Sequence, residues 1–278
     1  MTATVELHVL LTGFQTDRLA LAADGLDMAA IFAYLLAVRR LAGRRRYWPG
    51  QDTAAFVAGI VAIWIAVGSG LAAYDDTDVT VHVIQHALLM MIAAPLVASG
   101  RPVTLASQAA PRPVQVRLLR VVHSPVVADL TYPASGWFVY YASMYACFAD
   151  RTVYTYLSDH PLVHDASHLL LLVVGLLYWQ PLIGGDPSRW RLSPRARTVS
   201  MVAGTASECV LGVIMMDFHR PLDPVSSLGG THLAGLTFLL LAVSTCGPIG
   251  VMMSRRPAHR DRKRVYRAAS RPVGAELP

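Results

Sequence analysis

Seven stretches of about 20 mostly apolar residues recur along the chain, and roughly that many residues let an α-helix cross the hydrocarbon core of a bilayer at ~1.5 Å of rise per residue. They run from Leu19 to Val38, Ala54 to Ala73, Val79 to Ala98, Val126 to Ala149, Pro161 to Ile183, Thr198 to Met216 and His232 to Met253. The expected fold is therefore all-α: a polytopic membrane protein built as one seven-transmembrane-helix bundle over residues 1–253, followed by an Arg-rich, flexible cytoplasmic tail over 254–278. Composition agrees with a lipid environment. Hydrophobic residues make up 54% and charged residues 15%, against roughly 45–50% and 25% for soluble domains.

Orientation follows from the basic residues, which cytoplasmic connections retain. The loops after the first, third and fifth stretches and the tail hold 21 of the 24 Lys and Arg residues; the opposite side has Arg18, Arg151 and Arg220. This predicts an N-terminus outside and a C-terminus in the cytoplasm, with the acidic cluster Asp75, Asp76 and Asp78 outside. The same asymmetry explains the net charge of +6 as membrane topology and headgroup contact rather than as nucleic-acid binding. Cys147, Cys209 and Cys246 lie in apolar stretches without CxxC spacing, which argues against a disulfide framework. The N-terminus lacks the basic region and small-residue cleavage site of a signal peptide and is expected to be retained.

Seven of the ten histidines, mapped onto this topology, gather at the outer helix ends, while His8 lies in the outer N-terminal tail and only His123 and His259 fall on the cytoplasmic side. His82 and His86 open the third stretch, His160, His164 and His168 open the fifth, His219 follows the sixth and His232 begins the seventh. Residues four apart share one helix face. His82 and His86 form such a stripe with Met90, and His164 and His168 form another with His160. Two facing stripes can bring imidazoles from different helices onto one ion. Soft atoms lie at similar depth in Met28, Met144, Cys147, Met215 and Met216. Thioether, thiol and imidazole together favour copper, as Cu(I), over hard cations. His82, His86, His164, His168, His219 and His232 are the candidate ligands; His160, Met90, Cys147, Glu208 and Met215 are candidates for further ligands or for groups supporting them.

Glu208 is the one acidic residue near the middle of a stretch, where ionisation costs roughly 2.5–3.5 kcal/mol on insertion scales. It is expected either as a neutral carboxyl hydrogen-bonded between helices or as a support beneath the metal site. No enzyme is expected. Between His82 and His86 stand Val83, Ile84 and Gln85, without the glutamate of HExxH, and no G-x-S-x-G elbow or phosphate-binding glycine loop occurs.

At this point two blocks carry a resemblance. His82 to Pro102 reads HVIQHALLMMIAAPLVASGRP, and Pro161 to Leu182 reads PLVHDASHLLLLVVGLLYWQPL. Both are similar to the CtaG-type cytochrome c oxidase assembly factors of bacterial plasma membranes: a His-x-x-Gln-His opening, a proline and a Gly-x-Pro close, then a histidine pair before a glycine and an aromatic end. The resemblance runs roughly from Val79 to Met253. It implies a membrane assembly factor that binds copper near the outer face and assists copper insertion into cytochrome c oxidase, with an oxidase subunit in the same membrane as partner and His82, His86, His164 and His168 as the matching positions. One departure falls before the last stretch, where Ser226, Ser227 and Leu228 precede Gly229 and Gly230 in place of the family's Asp-Gln; His232 stands where it could substitute. Two rival readings remain open. One is a haem-binding membrane protein of the bis-histidine b type, for which Gly175, two turns past His168, would leave room for a macrocycle. The other is a copper permease.

Overall fold

The computed structural model describes residues 13, 18–75, 78–183, 185–190, 192–223 and 226–254. His8, Asp76, His259 and the tail from Arg255 onward, on which part of the sequence reading rests, lie outside the described residues.

Regular structure among the described residues is helical: α1 Arg18–Gly43, α2 Gly50–Val67, a 3₁₀ turn Gly70–Ala73, α3 Val79–Ala87 continued by a π segment Leu88–Ala93 and α4 Ala94–Ser99, α5 Pro102–Ala109, α6 Arg112–Val122, α7 Pro125–Leu130, α8 Pro133–Ala149, α9 Arg151–Asp159, α10 Pro161–Ile183, α11 Pro194–Met216 and α12 Leu228–Ser254. Among the described residues, six helical stretches are long and apolar enough to cross a membrane: Ala20–Gly43, Gly50–Val67, Val79–Ala109, Pro161–Ile183, Pro194–Met216 and Leu228–Gly250. The fourth expected span, Val126–Ala149, differs. It breaks at Tyr132, whose ψ of 128° is extended rather than helical, because Pro133 disfavours the helical conformation in the residue before it. What remains of it, α8, has 17 residues.

The continuous rod α3–π–α4 sits at the centre. In the most apolar window of Val79–Ala109, 78% of residues are buried, against 6% for α1, which lies on the periphery. α10 runs parallel to this rod: His82 meets His164, His86 meets His168, and Gly175 meets Ala94 further along. α8 runs antiparallel to α10, with Gly136 against Leu177 and Phe148 against His82 and His86. α11 and α12 form an antiparallel pair whose backbones touch at Gly212 and Gly235; a Cβ on Gly235 would stand 2.6 Å from the Gly212 carbonyl oxygen. Such small-residue crossings are how helices associate where lipid supplies no hydrophobic drive.

The π segment has a local cause. Pro95 has no N–H and its ring crowds the preceding turn. The Ala94 amide donates back to the Leu89 carbonyl, so the next carbonyl, that of Met90, would need the amide Pro95 lacks. Trp179 of α10 supplies the donor instead, its Nε1 2.7 Å from the Met90 oxygen. At the rod's far end, Arg101 adopts a left-handed conformation (φ 53°), lies under Trp48, and forms a buried ion pair with Asp52 of α2. Asp186 then caps α5, accepting from the Val103 and Thr104 amides at 3.1 and 2.7 Å. These contacts hold α3 in register with α2 and α10, which fixes where its first two turns stand.

Candidate metal centre

α3 begins at Asp78, whose carboxylate accepts from the Thr80 and Val81 amides, a side-chain cap for otherwise orphaned donors. α10 begins with Pro161, for which the first helical position suits its fixed φ. Both helices therefore open at the same end of the bundle, and their i, i+4 histidine pairs face each other.

The four rings form one cluster. His82 and His164 stack with centroids 4.9 Å apart and planes within 2°. His82 and His86 are 4.3 Å apart, His164 and His168 4.7 Å, and His86 meets His168 edge-on at 5.5 Å. All four are buried. Phe148 of α8 presents its ring to His82 and His86, and Tyr154 of α9 stands 5.2 Å from His82, so aromatic side chains wall the site.

His86 carries the chemical signal. It is fully buried, and neither Nδ1 nor Nε2 has a hydrogen-bond partner among the described residues. An ordinary core histidine satisfies at least one nitrogen, since a buried unsatisfied polar group costs about 1–3 kcal/mol. A ring with both nitrogens unbonded beside other imidazoles fits a soft or borderline cation. One ligand atom each from His82, His86 and His164 lie within 4.8 Å of one another, and so do those of Asp75, His164 and His168.

Asp75 is the residue that sequence reasoning assigned only to an acidic cluster on the outer side. It lies on the turn before α3 and is buried. Gln85 of α3 holds it: the Gln85 Nε2 donates to Asp75 Oδ2 at 2.8 Å and to the Ala66 carbonyl at 3.0 Å. The Asp75 carbonyl in turn lies 3.2 Å from His82 Nδ1. If Nδ1 donates there, Nε2 of His82 is left as the ligand atom, the usual way an outer partner sets the tautomer.

The other candidates lie apart from the cluster or beneath it. His219 is exposed. His232 directs Nε2 to the Phe218 carbonyl at 2.9 Å. His160 is exposed and stacks on Tyr156. Met90, Cys147 and Met215 are buried in the apolar core, whereas Met28 and Met216 are 66% and 41% exposed. Glu208 is grouped with phenols rather than imidazoles: it lies against Tyr140 and Tyr141 and lines a small pocket with Tyr178, Met201 and Cys246.

Residues 32–253 match the family model described as cytochrome c oxidase caa3 assembly factor. The chain belongs to this family. The match takes in all four clustered histidines, Asp75 and Gln85. Its curated relatives include uncharacterised proteins of Mycobacterium bovis and Mycobacterium tuberculosis, each 30% identical over 214 residues, covering 74% of this chain and 32% of theirs. An uncharacterised protein of Mycobacterium leprae is 28% identical over 177 residues, covering 61% of this chain and 27% of its own. The matched region thus spans about a third of the length of these relatives. No solved structure matches the chain.

Proposed function

We propose that this caa3 assembly factor is a copper carrier, not an enzyme, which holds Cu(I) among His82, His86, His164 and His168 and passes it by ligand exchange to a cytochrome c oxidase subunit in the same bacterial plasma membrane. The observation that carries the reading is His86, a buried imidazole with both nitrogens unbonded in the middle of three others. Membership of an oxidase assembly family supplies the recipient. The ion is cargo, so a site of exchangeable imidazoles suits capture and release.

In this reading the chain crosses the membrane seven times, with α8 as the crossing between the rod and α10. Support comes from α3 and α10 being parallel, because a chain that exits the rod at one end and enters α10 at the other must cross back between them. α8 covers that return from Leu177 to His86. The split of basic residues then puts the histidine cluster outside and the C-terminus in the cytoplasm.

The haem alternative is less well supported. The imidazoles of His82 and His164 stack face to face at 4.9 Å, whereas axial ligands approach iron from opposite faces of a macrocycle. The space beside Gly175 is filled by helix, since a Cβ there would stand 2.8 Å from that of Ala94.

The test is made in cells. Oxidase purified from a strain lacking this chain should be short of copper. The parent chain should restore it, and a chain carrying both His86→Ala and His168→Ala should not, although present at the same level in the membrane. Full restoration by the double variant would overturn the proposal.

A further inference from the structure

We infer that the cluster offers copper two adjacent positions sharing His164: an all-imidazole position of His82, His86 and His164 for Cu(I), and an imidazole–carboxylate position of Asp75, His164 and His168 for Cu(II). The inference rests on the copper-carrier reading and deepens it, by letting the oxidation state of the ion select where it sits.

Two sets of side chains each bring three ligand atoms within 4.8 Å, and they are chemically unequal. The first is all nitrogen, from neutral rings buried among Phe148 and Tyr154. Its own ligands are neutral and supply no negative charge to offset a second positive one. The second adds a carboxylate, and mixed nitrogen and oxygen ligands suit Cu(II), whereas Cu(I) gains little from a hard oxygen. A buried carboxylate also supplies the counter-charge that a divalent ion needs more than a monovalent one in a low-dielectric site.

Asp75 is built for this role rather than left by chance on a loop. Gln85 anchors its Oδ2, and Gln85 is itself fully buried between the two histidines of its own helix. The carboxylate, the glutamine and the histidine pair therefore move as one body with α3. Such outer contacts keep a ligand oriented, and removing them typically weakens metal affinity about 10- to 100-fold.

The experiment uses the full chain in detergent, loaded separately with Cu(I) and with Cu(II). Electron paramagnetic resonance of the Cu(II) form should show strong coupling to two imidazole nitrogens. Asp75→Asn keeps the size of the side chain and an acceptor for Gln85 but loses the charge. It should weaken Cu(II) binding at least about 10-fold and leave Cu(I) binding, measured by competition with a chromogenic chelator, as in the parent. His86→Ala should do the reverse. Three or more equatorial imidazole nitrogens in the parent spectrum, which needs no variant, would overturn the inference. So would an Asp75→Asn chain that loses both ions together or neither. Cu(I) binding with unaltered Cu(II) behaviour sinks this inference alone, whereas a parent chain that binds no copper in either state sinks the copper-carrier reading with it.

Discussion

His86 and Glu208 are both buried polar groups on apolar helices, and their surroundings separate them. The His86 ring meets those of His82, His168 and Phe148. Glu208 sits against Tyr140 and Tyr141, and Tyr141 approaches Tyr178 at 3.4 Å between hydroxyls. A carboxyl among phenols has donors enough to be held without a cation. Glu208→Gln should therefore bind copper like the parent and keep its melting temperature in detergent, while Glu208→Leu, which leaves the phenols without an acceptor, should lower stability by about 1–3 kcal/mol. Loss of copper affinity in Glu208→Gln with the fold intact would show that the carboxyl acts on the site. The four clustered histidines were legible in the sequence because i, i+4 spacing on a helix has a fixed geometric meaning. Asp75 was not. It reaches the cluster from the turn after the 3₁₀ segment, whose path no periodicity encodes, and the sequence placed it only in an outer acidic cluster. Gln85 was visible as a letter in a motif, but its task became visible only with Asp75 and Ala66 in place.

The rod formed by α3, the π segment and α4 shows how a single proline shapes an element and its neighbour. Pro95 withholds an amide, the helix widens, and Trp179 on α10 completes the Met90 carbonyl. Trp179→Phe keeps the aromatic packing and removes the donor, so it should destabilise the protein by about 1–3 kcal/mol, read as a lower melting temperature in detergent. Unchanged stability would mean that another donor reaches Met90. The sequence marked Pro95, Trp179 and Pro181 as landmarks, yet hydropathy alone counted the stretch as uniform helix. It likewise ran α7 and α8 together, since Val126–Ala149 is mostly apolar, although Asp129 and Pro133 mark the region of the break. The fifth stretch, bounded by Pro161 and by the loop after Ile183, came out with the limits read from the sequence.

The bundle as a whole was the most legible feature, because length and apolar content are nearly sufficient to specify a membrane-crossing helix. How the helices face one another was not, since it is set by close approaches such as Gly212 to Gly235 and Gly136 to Leu177, which depend on partners far away in the chain. The seven-crossing, N-out arrangement has a direct check. In a background lacking Cys147, Cys209 and Cys246, a cysteine placed at exposed Asp159 should react with an impermeant thiol reagent in intact cells, and one placed at exposed Arg117 should not. Labelling at Arg117 but not Asp159 would invert the bundle and put the histidine cluster on the cytoplasmic side.

Whether the cluster carries copper is answered by X-ray absorption at the copper edge on the purified chain loaded with Cu(I). The expected result is one tightly held copper per chain with a shell of imidazole nitrogens, lost when His86→Ala and His168→Ala are combined. No bound copper, or a shell made of sulfur from Met90, Cys147 or Met215 that survives the double variant, would contradict it.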